Sequence, residues 1–259
     1  MTTSELTAEI VGRLRADGCV YAEDEAQLLV DEAESADELE AMVVRRVGGE
    51  PLEYVLGWAE FAGIQIIVEP GVFVPRRRTE VLVNEAGRLA RPGAIVVDLC
   101  CGAGAIGAAL LETCEGIELY AADVDPAAVQ CARLNLEPEG QVFEGDLFDA
   151  LPAELKGRVE IIVVNAPYVP TDAIALMPPE AREYEAKVAL DGGADGVDVH
   201  RRIATEVGEW LVPDGYVLIE TSQEQAPLTI AALESAGFTA WVERDEGVDG
   251  TAVIGTRPV

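Results

Sequence analysis

Lysine and histidine are almost missing from this chain. Lys156 and Lys187 are the only lysines among eighteen basic residues, and His200 is the single histidine. Forty-eight acidic residues leave a formal charge of −30. A field of that sign repels phosphate backbones and draws in basic surfaces, so no direct nucleic-acid partner is expected. The basic run Arg76-Arg77-Arg78 is too short to change that balance, though it suits a local anion. The sole histidine follows Asp198 at a helix start and reads as a surface or capping residue rather than a general base. Also absent is any apolar run of membrane-spanning length. The stretch Met1 to Leu14 carries Glu5 and Glu9 where a secretion signal needs a basic and then an apolar segment, so no membrane association and a cytoplasmic location are expected. Five cysteines, Cys19, Cys100, Cys101, Cys114 and Cys131, are odd in number and lack CxxC spacing. Reduced, mostly buried thiols and no metal site follow from that.

The chain has 259 residues, 49% of them apolar, enough for one large α/β domain with a smaller appendage. Between Ser4 and Val47 apolar residues recur at helical spacing (Leu6, Ile10, Leu14; Leu28, Leu29; Leu39, Met42, Val43, Val47), which predicts three short helices. Asp24 and Ser35 are candidate N-caps for the second and third, and Gly48-Gly49 ends the last. Trp58 to Phe61 and Ile64 to Val68 flank Ala62-Gly63 as a hairpin, closed by the turn signal Pro70-Gly71. The expected organisation is a helical domain over 1–57, a hairpin linker over 58–70 and a catalytic domain over 71–259.

Beyond residue 71 strands alternate with helices, the signature of a mainly parallel sheet covered on both faces. Strands are expected at Ile95 to Leu99, Leu119 to Ala122, Gln141 to Glu144, Ile161 to Val164 and Tyr216 to Thr221. Helices are expected at Thr79 to Leu89, Gly104 to Leu111, Pro126 to Leu134, His200 to Leu211 and Glu224 to Ala236. A last pair, Phe238 to Glu243 and Thr251 to Thr256, reads as antiparallel around an acidic turn.

Two motifs carry chemistry. The first is Asp98-Leu-Cys100-Cys101-Gly102-Ala103-Gly104-Ala-Ile-Gly107, which follows an apolar strand and opens a helix; there glycines let the backbone approach a ligand closely. Asp123, about twenty residues on and followed by Val124, is placed to accept from ribose hydroxyls. Spacing alone allows a nicotinamide dinucleotide as readily as S-adenosylmethionine. Asp98 tips the reading towards the latter, since an acid there opposes a pyrophosphate but suits an ammonium or sulfonium. Asp146, followed by Leu147, is placed to accept from an adenine amino group.

The second motif is Asn165-Ala166-Pro167-Tyr168 after the apolar run Ile161 to Val164. A planar amide or aminopurine nitrogen attacks an electrophilic carbon only when acceptors hold and orient its N–H groups. The Asn165 side-chain oxygen and the Ala166 carbonyl supply two such acceptors, Pro167 stiffens the loop, and Tyr168 offers a ring face to a flat group. Asn-x-Pro alone is an ordinary turn former; its place at a strand's carboxyl end beside a glycine loop is what points to methyl transfer. No base is required for direct displacement, and no Pro-Cys element exists for covalent methylation of a cytosine ring.

These residues resemble the HemK/PrmC-like protein N5-glutamine methyltransferases, which modify the Gly-Gly-Gln glutamine of peptide chain release factors. The likeness spans nearly the whole chain: Glu50 to Gly57, Pro75-Arg76 with Thr79-Glu80, the Asp98 to Gly107 loop, Asp123, Asp146, the Asn165 tetrad, and Tyr184-Glu185 followed by Ala189 to Gly193. It implies a class I S-adenosylmethionine-dependent methyltransferase: a Rossmann-like seven-stranded sheet with its last strand antiparallel, preceded by a small helical domain that recognises the protein substrate. In that setting Asn165 and the Ala166 carbonyl hold the glutamine amide, Tyr168 lines the slot, Thr79 borders the cofactor pocket, and S-adenosylhomocysteine is the product. Two departures stand out: position 166 is alanine where the family has a second proline, and Glu220-Thr221-Ser222-Gln223 lacks an expected glycine.

Arg76 and Glu185 are expected at the substrate rim, with Asp172, Glu180 and Glu183 as further rim acids for a basic protein surface. Three rival readings remain: an N-methyltransferase of a small-molecule amide or amine, an adenine N6-methyltransferase, which the charge disfavours, and an inactive cofactor-binding protein.

Overall fold

The structure, a computed structural model, describes residues 3–258; the expected domain limits at residues 1 and 259 lie outside them. Four helices come first: α1 (Thr3–Ala16), α2 (Ala22–Glu32), α3 (Ala36–Val47) and α4 (Leu52–Leu56). Ser35 caps α3, its hydroxyl accepting from Glu38 N at 3.2 Å. Asp24 is not a cap. It lies in the first turn of α2, where its charge complements the helix dipole, and Tyr21 holds the cap position. The short α4 was not legible as a helix; Gly57, at φ +83°, stops it by donating its N–H to Glu53 O at 2.8 Å. Ile10, Leu14, Leu29, Met42 and Val43 form the small core of this bundle.

The hairpin follows as β1 (Trp58–Phe61) and β2 (Ile64–Ile67), paired Trp58 with Ile67 and Phe61 with Ile64. The remaining elements are α5 (Glu80–Leu89), β3 (Ile95–Leu99), α6 (Ala105–Thr113), β4 (Glu118–Asp123), α7 (Pro126–Leu136), β5 (Gly140–Glu144), β6 (Val159–Val164), α8 (Pro179–Tyr184), α9 (Asp198–Trp210), β7 (Leu211–Glu220), α10 (Ala226–Ser235), β8 (Thr239–Asp245) and β9 (Gly250–Thr256). Strands β3 to β9 make one seven-stranded sheet in the order β5-β4-β3-β6-β7-β9-β8. Its first five strands run parallel, and β9 enters antiparallel between β7 and β8.

Alternate residues of each strand feed two core faces. Val96, Ala121, Val163 and Leu218 pack on one side with residues of α5, α6 and α7, while Val97, Ile162 and Val217 pack on the other with residues of α9 and α10. Phe61, Ile66, Val72 and Val74 join the first of these cores, so the hairpin and the segment after it are continuous with the sheet domain. Arg46 of α3, almost buried, pairs with Glu25 of α2 at 2.6 Å and ties the bundle to α8 through Glu180 at 2.7 Å.

His200 overturns its expected place. It is fully buried between α9 and α10, with Nδ1 2.9 Å from Thr229 Oγ1 and Nε2 without a partner. Burial disfavours its charged form and pushes the imidazole down to about 4. Its helical position told nothing of which face α10 covers.

Candidate active site

The functional motifs sit at the carboxyl ends of the parallel strands because strand register puts them there. Leu99 pairs with Ala122 and with Val164, Asp123 with Glu144, and Val164 with Ile219. The residues one step further, Cys100, Asp123, Asn165 and Glu220, therefore stand level across four neighbouring strands, about 5 Å apart per step. A cavity of about 610 Å³ opens above this row, the usual place for a ligand in an open α/β sheet.

Its wall contains nearly every residue the sequence singled out: Thr79, Cys100, Gly102, Ala103, Asp123, Val124, Asp146, Leu147, the whole Asn165 to Tyr168 tetrad, Arg76 and Glu185. Asp98 and Gly104 are not part of it. Gly104 instead serves packing: at φ +79° it starts α6, and a Cβ there would lie 2.9 Å from Leu136 Cδ1. Asp98 lies beneath the loop, wholly buried. One carboxyl oxygen accepts from Gly107 N at 2.9 Å and the other has no partner. Burial, reinforced by the nearby Asp123, raises it to about 8 despite the Gly107 hydrogen bond.

Asp123 braces the loop as well as facing the cavity. Its Oδ2 accepts from Gly102 N and its Oδ1 from Asp125 N, both at 2.9 Å. Burial shifts its carboxyl upward, against the pull of those hydrogen bonds. The thiols of Cys100 and Cys101 are pushed well up by burial and by the surrounding carboxylates, which favours the neutral thiol over the nucleophilic thiolate. Asp146 is half engaged: Arg202 of α9 donates to its Oδ2 at 2.8 Å and itself lines the cavity. No local pattern around Arg202 announces a partner fifty-six residues away.

On the other half of the row, Asn165 donates through Nδ2 to Thr79 Oγ1 at 3.3 Å, which leaves its side-chain oxygen as an acceptor. No described donor reaches the Ala166 carbonyl. Tyr168 donates its hydroxyl to Glu220 Oε1 at 2.9 Å, and the Arg78 guanidinium lies 5.9 Å over its ring. Burial, then the adjacent Glu220, pushes the phenol well up, so it stays neutral. Glu185 is not a solvent-facing rim acid. Its side chain is 1% exposed, accepts from Val74 N at 3.3 Å, and pairs with Arg76. Burial raises it while Arg76 opposes the rise. Asp172, Glu180 and Glu183 are all exposed, the last two while paired with Arg46 and Arg182.

The Methyltransferase small domain family matches residues 63–181. A release factor glutamine methyltransferase of Geobacter sulfurreducens is 39% identical over 200 residues, covering 76% of this chain and 69% of the relative. That of Bifidobacterium longum is 34% identical over 248 residues, covering 86% and 84%. The chain belongs to the release factor glutamine methyltransferase family. Among solved structures, a methyltransferase from Pyrococcus furiosus superposes with a TM-score of 0.58 at 15% identity, covering 85% of this chain and 98% of that one, a likeness of fold. The sheet order and antiparallel β9 are those of the class I methyltransferase fold.

In this family member burial takes over part of what a second proline would supply. Ala166 is 1% exposed and packed into the core behind β6, so its backbone has little freedom even without the ring. The loop after it is held from behind as well. Gly192 N donates to Val169 O at 2.9 Å, and Gln225 Nε2 donates to Tyr168 O at 2.8 Å and to Asp195 O at 3.0 Å. Ser222, standing where a glycine was expected, donates to Gln225 Oε1 at 2.7 Å. Gln225, and not the Gln223 beside the serine, is thus the glutamine that matters to this site. A loop with Gly102 at φ +55° and the acids Asp123 and Asp146 spaced along the cavity suit a cationic nucleoside such as S-adenosylmethionine.

Proposed function

We propose that this chain transfers a methyl group from S-adenosylmethionine to the side-chain amide nitrogen of a glutamine in a protein, that of the Gly-Gly-Gln motif of a peptide chain release factor. The observation that carries the reading is the pair of uncommitted acceptors, the Asn165 oxygen and the Ala166 carbonyl, beside a neutral Tyr168 at the head of β6. S-adenosylmethionine, when bound, supplies an electrophilic methyl on a sulfonium. Cys100, Gly102 and Ala103 would hold it through the backbone, with Asp123 and Asp146 accepting from its hydroxyl and amino groups.

The protein's own residues then do the orienting. Two acceptors on one NH2 restrict its rotation, polarise the amide and present the nitrogen lone pair for in-line attack; the amide proton leaves as or after the new bond forms. Carboxamide and aminopurine NH2 groups have similar geometry, so charge decides between them. The −30 chain favours a basic protein over a nucleic acid. Residues 1–57 act as the substrate-recognition domain and 71–259 as the catalytic domain, with the hairpin over 58–70, expected as a linker, packed into the catalytic domain's core. The names of the relatives support the acceptor assigned here.

The test is incubation with labelled S-adenosylmethionine and matched release factors, followed by intact mass and site mapping. One added methyl, roughly 14 Da, on the Gly-Gly-Gln glutamine is expected. Label on another residue, or turnover on small amides alone, would replace the assigned acceptor.

A further inference from the structure

Glu220 ends β7 with its side chain 2% exposed, one oxygen engaged and the other, Oε2, without a partner. A carboxylate taken out of water in this way is costly unless something repays it. Its engaged oxygen does two things at once. It accepts the Tyr168 hydroxyl at 2.9 Å and the Arg78 Nε at 3.2 Å, and the same guanidinium lies over the Tyr168 ring. The Tyr168 carbonyl is held independently by Gln225. Glu220 is not itself in the cavity wall, whereas Arg78 and Tyr168 both are.

We propose that Glu220 is a positioning residue of the methyl-transfer site: through its shared oxygen it locks the Tyr168 ring and the Arg78 guanidinium as one unit, preorganising the slot that receives the acceptor amide. The inference rests on the acceptor reading given above. Its logic is that a tyrosine ring lining a slot is useful only at a fixed angle. The backbone hydrogen bond from Gln225 fixes the chain but leaves the ring free to rotate, so the hydroxyl needs its own anchor. A charged acceptor shared with Arg78 is stronger than a neutral one and restrains both partners together. Arg78 gains as well, since a stacked and paired guanidinium keeps one pose although half its side chain is exposed.

The test is a double-mutant cycle with two near-isosteric changes, Glu220→Gln and Tyr168→Phe, read as kcat and KM for the protein acceptor, the dissociation constant for S-adenosylmethionine and the melting temperature. Glu220→Gln in the wild-type background is expected to lower kcat about tenfold, with cofactor affinity changed less than twofold. In the Tyr168→Phe background the same change should lower kcat less than threefold, because the hydroxyl it anchors is already gone. Equal losses in both backgrounds, or a loss that tracks cofactor affinity, would overturn the proposal. A second readout is independent of turnover: ¹³C-tyrosine labelling, with the Tyr168 ring signal assigned by its disappearance in Tyr168→Phe. In Glu220→Gln that signal should move and show ring-flip averaging; an unchanged signal refutes the lock. If wild type fails to methylate a release factor while the signal still responds, the acceptor reading falls and the lock stands.

Discussion

Gly192 offers the sharpest perturbation of the acceptor slot from outside it. Its backbone is not in the left-handed region, so an alanine there meets no torsional penalty. Contact alone decides the outcome. A Cβ at 192 would lie 2.6 Å from Gly196 O, 2.7 Å from Pro167 O and 2.7 Å from Tyr168 Cα. All three are backbone atoms, which cannot swing aside as the end of a side chain can. Restoring an ordinary 3.4 Å contact requires a displacement of roughly 0.7 Å, shared between the 192–196 turn and the Pro167-Tyr168 segment. A misplacement near 1 Å at reacting groups costs about a hundredfold, so Gly192→Ala should lower kcat some 30- to 100-fold. Overpacking of this kind also costs about 1–3 kcal/mol of stability, a fall of a few degrees in Tm for a chain of this size. Cofactor affinity should stay within about threefold of wild type, because the Cys100 to Ala103 loop is untouched. The control is Gly12→Ala in α1, where nothing lies within 4 Å; it should be neutral to stabilising by about 0.5–1 kcal/mol, with kcat unchanged. Steady-state kinetics, calorimetric titration and thermal melts separate these effects. A folded Gly192→Ala enzyme with kcat within twofold of wild type would refute the claim that this turn braces the tetrad.

Asn165→Ala should cut transfer by about 10²–10³ while cofactor binding is retained, since it deletes one of two amide acceptors; parallel loss of both in titration and turnover assays would mark Asn165 as structural instead. The His200 imidazole, held at about 4 in the fold against 6.5 in the open chain, takes up protons more readily when unfolded. Its neutral form favours the fold above pH 6.5, and that contribution fades as pH falls towards 4, by about 3 kcal/mol. Urea melts between pH 7 and 4.5 should show a shallower pH dependence in His200→Gln; an identical dependence would refute the assignment. Asp98, raised to about 8, is mostly protonated in the ligand-free site at neutral pH. A cationic ligand favours the carboxylate, so affinity for S-adenosylmethionine should rise up to tenfold per pH unit as pH approaches 8 and then level off, and Asp98→Asn should flatten the profile. Overlapping wild-type and Asp98→Asn profiles would sink that linkage.

Much of this was legible in residue order. Alternation of apolar strands with helical periods gave the sheet, because each parallel strand is buried on both faces and cannot hide its composition. The glycine loop, the two following acids and the Asn165 tetrad were readable because each follows a strand end, where sequence position and spatial position coincide. Pairings between distant segments were not. Arg202 with Asp146, Gln225 with the Tyr168 carbonyl and Glu220 with the Tyr168 hydroxyl depend on how α9, β7 and α10 fold back over the strand ends. The same blindness explains His200 and Glu185, which are buried by segments distant in sequence, α10 over His200 and the Val74 to Arg76 stretch over Glu185. Asp98, expected to face the cofactor, lies instead outside the cavity wall. Its depth beneath the loop follows from α6 turning back over it, with Gly107 N reaching its carboxyl.

The level row at the strand ends divides labour along one axis. Cys100, just past β3, and Asp123, ending β4, face one end of the cavity; Asn165, just past β6, stands at the other, with Glu220 at the end of β7 behind the wall. On the proposed reading each contribution comes from a separate strand terminus, so substitutions beyond β6 and β7 would retune which nitrogen is admitted while the nucleoside end keeps its grip. A lineage could thereby exchange one client for another by small edits on a single flank, leaving the methyl donor and its cradle inherited intact.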